Sequence, residues 1–177
     1  MRTVTVILAR AGSKGLPDKC VLPLLGRPVI AYTIEHALAC RAIQDVILTT
    51  DSEPAAAIGT AAGILVVKRP TELAGDTARV DASVRHAVEW YESRQRQRVD
   101  AVVILYGNIP VRADGIVARC VEHLERFGGS SVRTVAPVTK QHPDWIHRLD
   151  GDRLVQFRPN SVHRRQDLEP LYYHDGA

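Results

Sequence analysis

The sequence has few cysteines, few aromatic residues and no long apolar run. Its three cysteines, Cys20, Cys40 and Cys120, are unevenly spaced and form no Cys-x-x-Cys pair. A reducing, cytoplasmic compartment is therefore the simplest expectation. No stretch reaches the ~18 apolar residues that a membrane span needs. The short apolar run at the N-terminus leads directly into Arg10 and does not match a signal peptide.

The chain also has little excess charge of either sign. Its 23 Lys and Arg residues against 20 Asp and Glu give a formal net charge of +3, and the basic residues are scattered. This balance does not favour a nucleic-acid partner, whereas a local cationic loop near the N-terminus fits an acidic small molecule. The 177 residues, 45% hydrophobic and 24% charged, predict a single α/β domain spanning 1–177.

Residues 4–19, VTVILARAGSKGLPDK, predict a buried β-strand that leads into a long cationic loop. No helix pattern begins before Pro28. Loops that join a strand to a helix usually have ~2–6 residues, and longer ones are often functional. The loop carries cations and glycines, namely Arg10, Gly12, Lys14, Gly15 and Lys19. We therefore expect a cradle for a polyphosphate, in which backbone N–H groups and cations surround the anion.

Two common phosphate-binding motifs are absent from this loop. Gly15 is followed by Leu16 and not by Lys, which excludes the P-loop pattern, and the Gly-x-Gly-x-x-Gly fingerprint is missing. An ordinary solvated basic loop therefore remains an alternative to the cradle.

Strand and helix patterns alternate along most of the chain. Strands are predicted at 4–8, 45–50, 64–67, 101–105 and 131–138, and helices at 29–38, 54–62, 79–94 and 113–127. This alternation predicts a parallel sheet with helices on both faces, which binds its ligand beyond the carboxyl ends of the strands. Arg10, Asp51, Arg69 and the segment after Leu105 each follow a strand, so we expect them to converge. Residues 145–157 predict a β-hairpin.

The segment LARAGSKGLPDK at 8–19 resembles the signature loop of the CMP-sialic acid synthetases, or acylneuraminate cytidylyltransferases. The resemblance resumes at 24–34, 49–52, 69–77 and 165–168, in order along the chain. It implies a three-layer αβα Rossmann-like nucleotidyltransferase fold with a mostly parallel sheet. It also implies a small β-hairpin insertion, at about 139–170, that helps to form a homodimer.

The resemblance implies that CMP is transferred from CTP to an acidic sugar of the sialic or nonulosonic acid class, with Mg²⁺ as cofactor and release of pyrophosphate. Such chemistry requires positioning and charge neutralisation more than a covalent catalyst. Arg10, Lys14 and Lys19 match the residues that act on the triphosphate. For Arg69, a surface arginine that closes a strand is the alternative. The implied nucleotide-binding residues are Ala9, Arg10, Gly12, Ser13, Lys14, Lys19, Arg69 and Ala78.

The sugar side departs from the family pattern. Residues 106–112, YGNIPVR, stand where sialic acid synthetases typically carry Gln-Pro-Thr-Ser-Pro-Leu-Arg. The related CMP-Kdo synthetases hold magnesium with an aspartate at the place of Asn108. Asn108 and Asp51 are therefore the candidate metal ligands, with helix capping as the alternative for Asp51. The implied sugar-binding residues are Tyr106, Asn108, Arg112, Arg165, Tyr173 and Asp175.

Three functions remain open from the sequence. The first is a cytidylyltransferase for an acidic sugar, the second is a CTP-binding domain without turnover, and the third is a nucleotidyltransferase for a different sugar. Members of the family continue through a further strand and a magnesium-binding Asp-x-Asp. We therefore expect this chain to be either a piece of such a protein or a shortened relative.

Overall fold

The computed structural model describes residues 1–12, 15–75 and 77–175. The chain divides into two compact units, Met1–Val132 and the residues from Arg133 onward. The predicted insertion at 139–170 lies inside the second unit, and the single-domain organisation stays a prediction. Within the described ranges, no helix is both long enough and apolar enough to cross a lipid bilayer.

The first unit alternates strands with helices. Its strands are β1 (Thr3–Leu8), β2 (Pro23–Leu24), β3 (Arg27–Pro28), β4 (Asp45–Thr50), β5 (Leu65–Lys68) and β6 (Ala101–Tyr106). Its α-helices are α1 (Val29–Leu38), α2 (Glu53–Ala61), α3 (Val80–Gln95) and α4 (Ile116–Phe127). The short β2 and β3 pair as a hairpin inside the long loop after β1, where the sequence predicted no structure.

Four parallel strands form the main sheet in the order β5-β4-β1-β6. The chain therefore moves outward from β1 through β4 to β5, and then returns to the other side of β1 as β6. The strand order reverses between β1 and β6, and ligands of open α/β sheets bind at the carboxyl ends of the strands near such a reversal.

Apolar side chains pack on both faces of the sheet. Val4, Val6 and Leu8 of β1 pack with residues of α3, including Val84 and Ala87. On the other face, Ile7 of the same strand belongs to the cluster built from α1, α2 and α4. This double burial explains why β1 reads as a continuous apolar run in sequence, and it creates the predicted three layers.

The predicted fifth strand of the parallel sheet is wrong. Of residues 131–138, only Val135–Pro137 is extended, as β7, and it pairs antiparallel with β10 (Tyr172–His174) in the second unit. The segment alternates exposed and half-buried residues, which is typical of an antiparallel strand with one open face. Pro137 also lacks the N–H that an interior strand requires.

The second unit also contains the predicted hairpin. Strands β8 (His147–Asp150) and β9 (Arg153–Gln156) pair antiparallel, with Leu149 directly opposite Leu154. Gly151 has a φ of +59° in the turn between them, a conformation that glycine adopts without strain. Short 3₁₀ helices cover Pro143–Trp145 and Arg165–Asp167.

We predict that Thr5→Val stabilises the protein. Thr5 lies fully buried inside β1, and no described residue forms a hydrogen bond with its hydroxyl. Because a buried polar group without a partner costs free energy, the free energy of unfolding should rise by about 1 kcal/mol in urea denaturation. Thr33→Val is the matched control, since the Thr33 hydroxyl is equally buried but hydrogen-bonded. Thr33→Val should lower the free energy of unfolding. An equal decrease in the free energy of unfolding of both variants would contradict the prediction.

Candidate functional site

The carboxyl ends of β1 and β6 are held together at the reversal of strand order. The Gly107 amide, just after β6, donates to the carbonyl oxygen of Leu8 at 2.9 Å. A Cβ atom at position 107 would lie only 3.2 Å from that oxygen. Glycine therefore permits the close approach of the two backbones, and any larger residue would push them apart.

The first residues of the loop after β1 are also fixed by β4 and the residue that follows it. The Ala9 amide donates to the Thr49 carbonyl at 3.3 Å, and the Ala11 amide donates to Oδ1 of Asp51 at 3.0 Å. The entrance of the loop is thus anchored to the neighbouring strand end. Gly12, at the limit of the described segment, is exposed.

Asp51 does not cap helix α2. The N-cap of α2 is Ser52, whose Oγ accepts a hydrogen bond from the Ala55 amide at 3.4 Å. The Asp51 carboxylate instead holds the Ala11 amide, because the chain turns towards the loop at the end of β4.

Arg69, which follows β5, is a buried cation with 6% of its surface exposed, and not a surface arginine. Its Nη2 donates to the Thr49 carbonyl at 2.8 Å, and its Nε lies 3.4 Å from the Thr49 hydroxyl. Burial lowers the pKa of Arg69; the charge of Asp51 opposes this change and that of Arg10 adds to it. The three charged groups that follow β1, β4 and β5 are therefore close enough to interact.

The far end of the loop returns to the same region. The amide of Ile30, in the first turn of α1, donates to the Cys20 carbonyl at 2.7 Å. Burial raises the pKa of the Cys20 thiol, while the positive charges of Lys19 and Arg69 lower it. The half-buried Lys19 thus lies near the cationic end of β5. Ser13 and Lys14, which the sequence also assigned to this site, lie outside the described residues.

The segment after β6 carries three of the predicted sugar-binding residues. Tyr106 is 37% exposed, and Asn108 is half-buried. Arg112 is buried, and its guanidinium donates to the carbonyl oxygens of Tyr106 at 3.0 Å and Ile109 at 2.6 Å. The structure therefore brings these residues to the reversal of strand order, but it turns Arg112 inward.

The other predicted residues belong to other segments of the chain. Ala78 is half-buried just before α3, and its amide donates to Gly75 at 3.1 Å. Arg165, Tyr173 and Asp175 belong to the second unit. There Arg165 begins a 3₁₀ helix, and Tyr173 pairs with Ala136. The Asp175 carboxylate accepts a hydrogen bond from the Thr134 hydroxyl.

Sequence reasoning missed three residues that organise this site, namely Thr33, Thr49 and Gly107. One signal for Thr33 was present in the sequence. It occupies the buried stripe of α1 together with Ile30, Ile34 and Ala37, and a polar residue at a core position requires an internal partner. Thr49 acts chiefly through its backbone carbonyl, for which the side-chain pattern contains no signal.

The described residues contain no cluster of three side chains that are typical metal ligands. In residues 1–12, 15–75 and 77–175, no three His, Cys, Asp or Glu side chains come together as potential metal ligands. One Asp51 oxygen is already used by the Ala11 amide, and Asn108 offers only a neutral oxygen. Magnesium sites often use one or two carboxylates with substrate phosphates and waters. Any Mg²⁺ here would depend on such additional ligands.

Comparison with known proteins identifies the family. Residues 4–171 match the family model described as cytidylyltransferase. The chain belongs to the cytidylyltransferase family. An N-acylneuraminate cytidylyltransferase from Streptococcus agalactiae serotype V is 34% identical over the whole chain, which spans 42% of that relative. The CMP-N,N'-diacetyllegionaminic acid synthase from Legionella pneumophila is 33% identical over the whole chain, which spans 76% of it.

Solved structures agree on the fold. A CMP:2-keto-3-deoxy-manno-octonic acid synthetase complexed with CTP superposes with a TM-score of 0.68, covering 99% of this chain and 72% of that chain. Its sequence identity of 20% supports the fold alone. The resemblance and the α/β Rossmann-like fold that the sequence predicted are thus confirmed.

We predict that Asp51→Ala loosens the loop entrance of this cytidylyltransferase-family chain without unfolding it. Loss of the acceptor frees the Ala11 amide, so its hydrogen exchange should accelerate by at least about tenfold, a change that corresponds to about 1.4 kcal/mol. Mass spectrometry of peptides covering residues 9–12 measures it. Ser52→Ala is the control, because it should cost about 1 kcal/mol of stability through the lost cap but leave that amide protected. Equal exchange in the wild type and Asp51→Ala would contradict the role of Asp51.

Proposed function

We propose that the chain carries the nucleotidyl-transfer site of an enzyme that moves CMP from CTP to an acidic sugar, releasing pyrophosphate. The observation that carries this proposal is that Arg10, Lys19 and Arg69 lie close enough to influence one site at the carboxyl ends of β1, β4 and β5, in a chain of the cytidylyltransferase family. A triphosphate supplies the negative charge that such a cluster requires.

In this proposal, the chain acts by positioning and by neutralising charge. A hydroxyl of the sugar attacks the α-phosphorus of CTP, and the bond to the leaving pyrophosphate breaks. Arg10, Lys14 and Lys19 bind the phosphate oxygens, with Gly12 and Ser13 in the same loop. Asp51 and Thr49 hold the loop entrance and Arg69 in place. Preorganised cations of this kind stabilise the charge that develops on the leaving group.

The proposed sugar is a sialic or nonulosonic acid. The streptococcal and Legionella relatives carry names that refer to N-acylneuraminate and diacetyllegionaminic acid. Tyr106 and Asn108, after β6, are the proposed sugar contacts in the first unit. Arg165, Tyr173 and Asp175 are the proposed contacts in the second unit. Ala78 is proposed to read the nucleotide through its backbone.

Binding of CTP without turnover is the second candidate function. It would use the same cationic residues to hold the triphosphate and differs from the first candidate only in the absence of transfer to a sugar. We propose that Mg²⁺ accompanies the triphosphate, with Asn108 and Asp51 as its candidate protein ligands. We also propose that the protein acts in the cytoplasm, where the buried thiols of Cys20 and Cys40 stay reduced.

We predict that Lys19→Ala weakens CTP binding by about ten- to a hundredfold, because it removes a charge-assisted hydrogen bond of about 1.5–3 kcal/mol. Titration calorimetry with CTP and Mg²⁺ measures the affinity. The control is Arg98→Ala, which removes an exposed cation just before β6, at the end of the sheet where the strand begins. It should leave the affinity unchanged.

Turnover is tested by pyrophosphate release with CTP, Mg²⁺ and N-acetylneuraminic or diacetyllegionaminic acid, each repeated with EDTA. Release with either acid that EDTA abolishes would support transfer. Binding of CTP without release would favour the second candidate. Failure of millimolar CTP to bind would contradict both candidates, and unchanged affinity in Lys19→Ala would remove that residue from the site.

We propose that the chain forms a homodimer through the β8–β9 hairpin. Its cross-strand partners Leu149 and Leu154 are 75% and 71% exposed. Adjacent exposed apolar side chains favour a protein contact. The family resemblance of the sequence also implies that a hairpin insertion here helps to form a homodimer.

We predict that Leu154→Asp converts the dimer into a monomer, because a carboxylate would be buried without a partner. Sedimentation velocity at micromolar concentration measures the mass. Ala57→Asp, on the exposed side of α2, adds the same charge away from the hairpin and should remain dimeric. A monomeric wild type, or a dimeric Leu154→Asp, would contradict this interface.

A further inference from the structure

Arg112 is a buried cation without an ionic partner in the described part of the chain. Only 6% of its surface is exposed, and burial alone acts on its pKa, which it lowers. Removing a guanidinium from water without a carboxylate to compensate is costly, and such groups are retained where they satisfy several acceptors. The acceptors of its hydrogen bonds therefore indicate the role of Arg112.

Those donors hold one turn of the backbone. Nη2 donates to the Tyr106 carbonyl at 3.0 Å, and Nη1 donates to the Ile109 carbonyl at 2.6 Å. Nη1 also donates to the Thr33 hydroxyl at 3.1 Å. The guanidinium thus joins both ends of the turn at 106–109 to helix α1.

Thr33 completes this arrangement from α1. Its hydroxyl is fully buried and lies 3.2 Å from the Tyr106 carbonyl and 3.1 Å from the Ile109 carbonyl. A hydroxyl donates one hydrogen at a time, so Thr33 donates to one carbonyl while it accepts from Arg112. Loss of either side chain would leave buried acceptors with fewer donors. Arg112 and Thr33 therefore act as a pair, which we call the turn clamp.

The turn held by the clamp carries the backbone that contacts the opening loop. Between its ends lies Gly107, whose amide donates to the Leu8 carbonyl, and a Cβ atom at this position would lie only 3.2 Å from that oxygen and 3.3 Å from the Ala9 Cβ. Asn108 is the next residue. A small shift of the turn would therefore move Asn108 and strain the entrance of the proposed phosphate-binding loop.

We propose that Arg112 and Thr33 are positioning residues of the nucleotidyl-transfer site, and that Arg112 does not contact the acidic sugar. The clamp holds Gly107 and Asn108 against the start of the opening loop, so that the sugar side and the triphosphate side keep a fixed separation. This inference rests on the proposed function, since it assigns a role within that site. It differs from the direct sugar contact that the sequence implied for Arg112.

The test is a double-mutant cycle of Arg112→Lys and Thr33→Val, measured by pyrophosphate release. Lysine keeps the charge but cannot reach both carbonyls, and valine keeps the shape of threonine without its hydroxyl. Each single change should lower kcat by about ten- to a hundredfold, because small misplacements of reacting groups have effects of that order. The double variant should be barely worse than either single one, since the two side chains act as a unit.

Control variants separate positioning from mere loss of structure. Thr33→Ser keeps the hydroxyl and should retain most of the activity. Arg119→Lys changes another arginine that donates to a backbone carbonyl, that of Asp114 at 2.7 Å, but at an exposed site on α4, and it should be neutral. Gly107→Ala moves the same turn by another route and should lower kcat in the same way.

The rival outcomes are distinct. A higher KM for the sugar in Arg112→Lys alone, with kcat unchanged and Thr33→Val fully active, would overturn the proposal in favour of direct sugar contact. If the decreases in kcat of the two single variants were additive in the double variant, Arg112 and Thr33 would act independently, and their proposed action as a pair would be overturned. Hydrogen exchange of peptides covering 104–111 supplies a readout without turnover: both single variants should exchange faster there, and unchanged exchange would overturn the clamp. An inactive wild type would contradict the proposed function, and the exchange comparison would then decide the role of Arg112.

Discussion

The structure depends on the close approach of two backbones where β1 and β6 end. The bond from the Gly107 amide to the Leu8 carbonyl, at 2.9 Å, brings together segments about one hundred residues apart in sequence. A parallel sheet whose strand order reverses leaves a crevice at this place. The place of the proposed site is therefore a consequence of strand order, because β6 returns beside β1 and its loop.

Buried cations are the second theme of this region. Arg69 and Arg112 are both 6% exposed, and the guanidinium group of each donates hydrogen bonds to the backbone at a strand end. Buried guanidinium groups are costly, yet they tie neighbouring loops together with several hydrogen bonds. Arg10 and Lys19, the cations assigned to the triphosphate in the proposed function, are only half-buried. They therefore differ from Arg69 and Arg112 in burial.

The sequence predicted much of the first unit because burial on both faces leaves a strong signal. The bounds of β4 at 45–50 and of α1 at 29–38 were predicted correctly, and those of β1 nearly so. The segment at 131–138 was misplaced because a strand-like pattern does not specify the partner strand, and β7 pairs with the distant β10. The role of Asp51 could not be predicted for a similar reason. An aspartate just before a helix can cap that helix or accept a hydrogen bond from a neighbouring loop, and the sequence does not distinguish the two.

The sequence by itself determined the family, the alternation of strands and helices, and the cationic loop, because these depend on local residue types and their spacing. Only the tertiary structure decided which side chains face inward. Arg112 reads as a ligand contact in sequence, but its donors hold the turn at 106–109. The physical reason is that hydrogen-bond partners are chosen by three-dimensional proximity, and the partners of Arg112 include Thr33, which lies on another element.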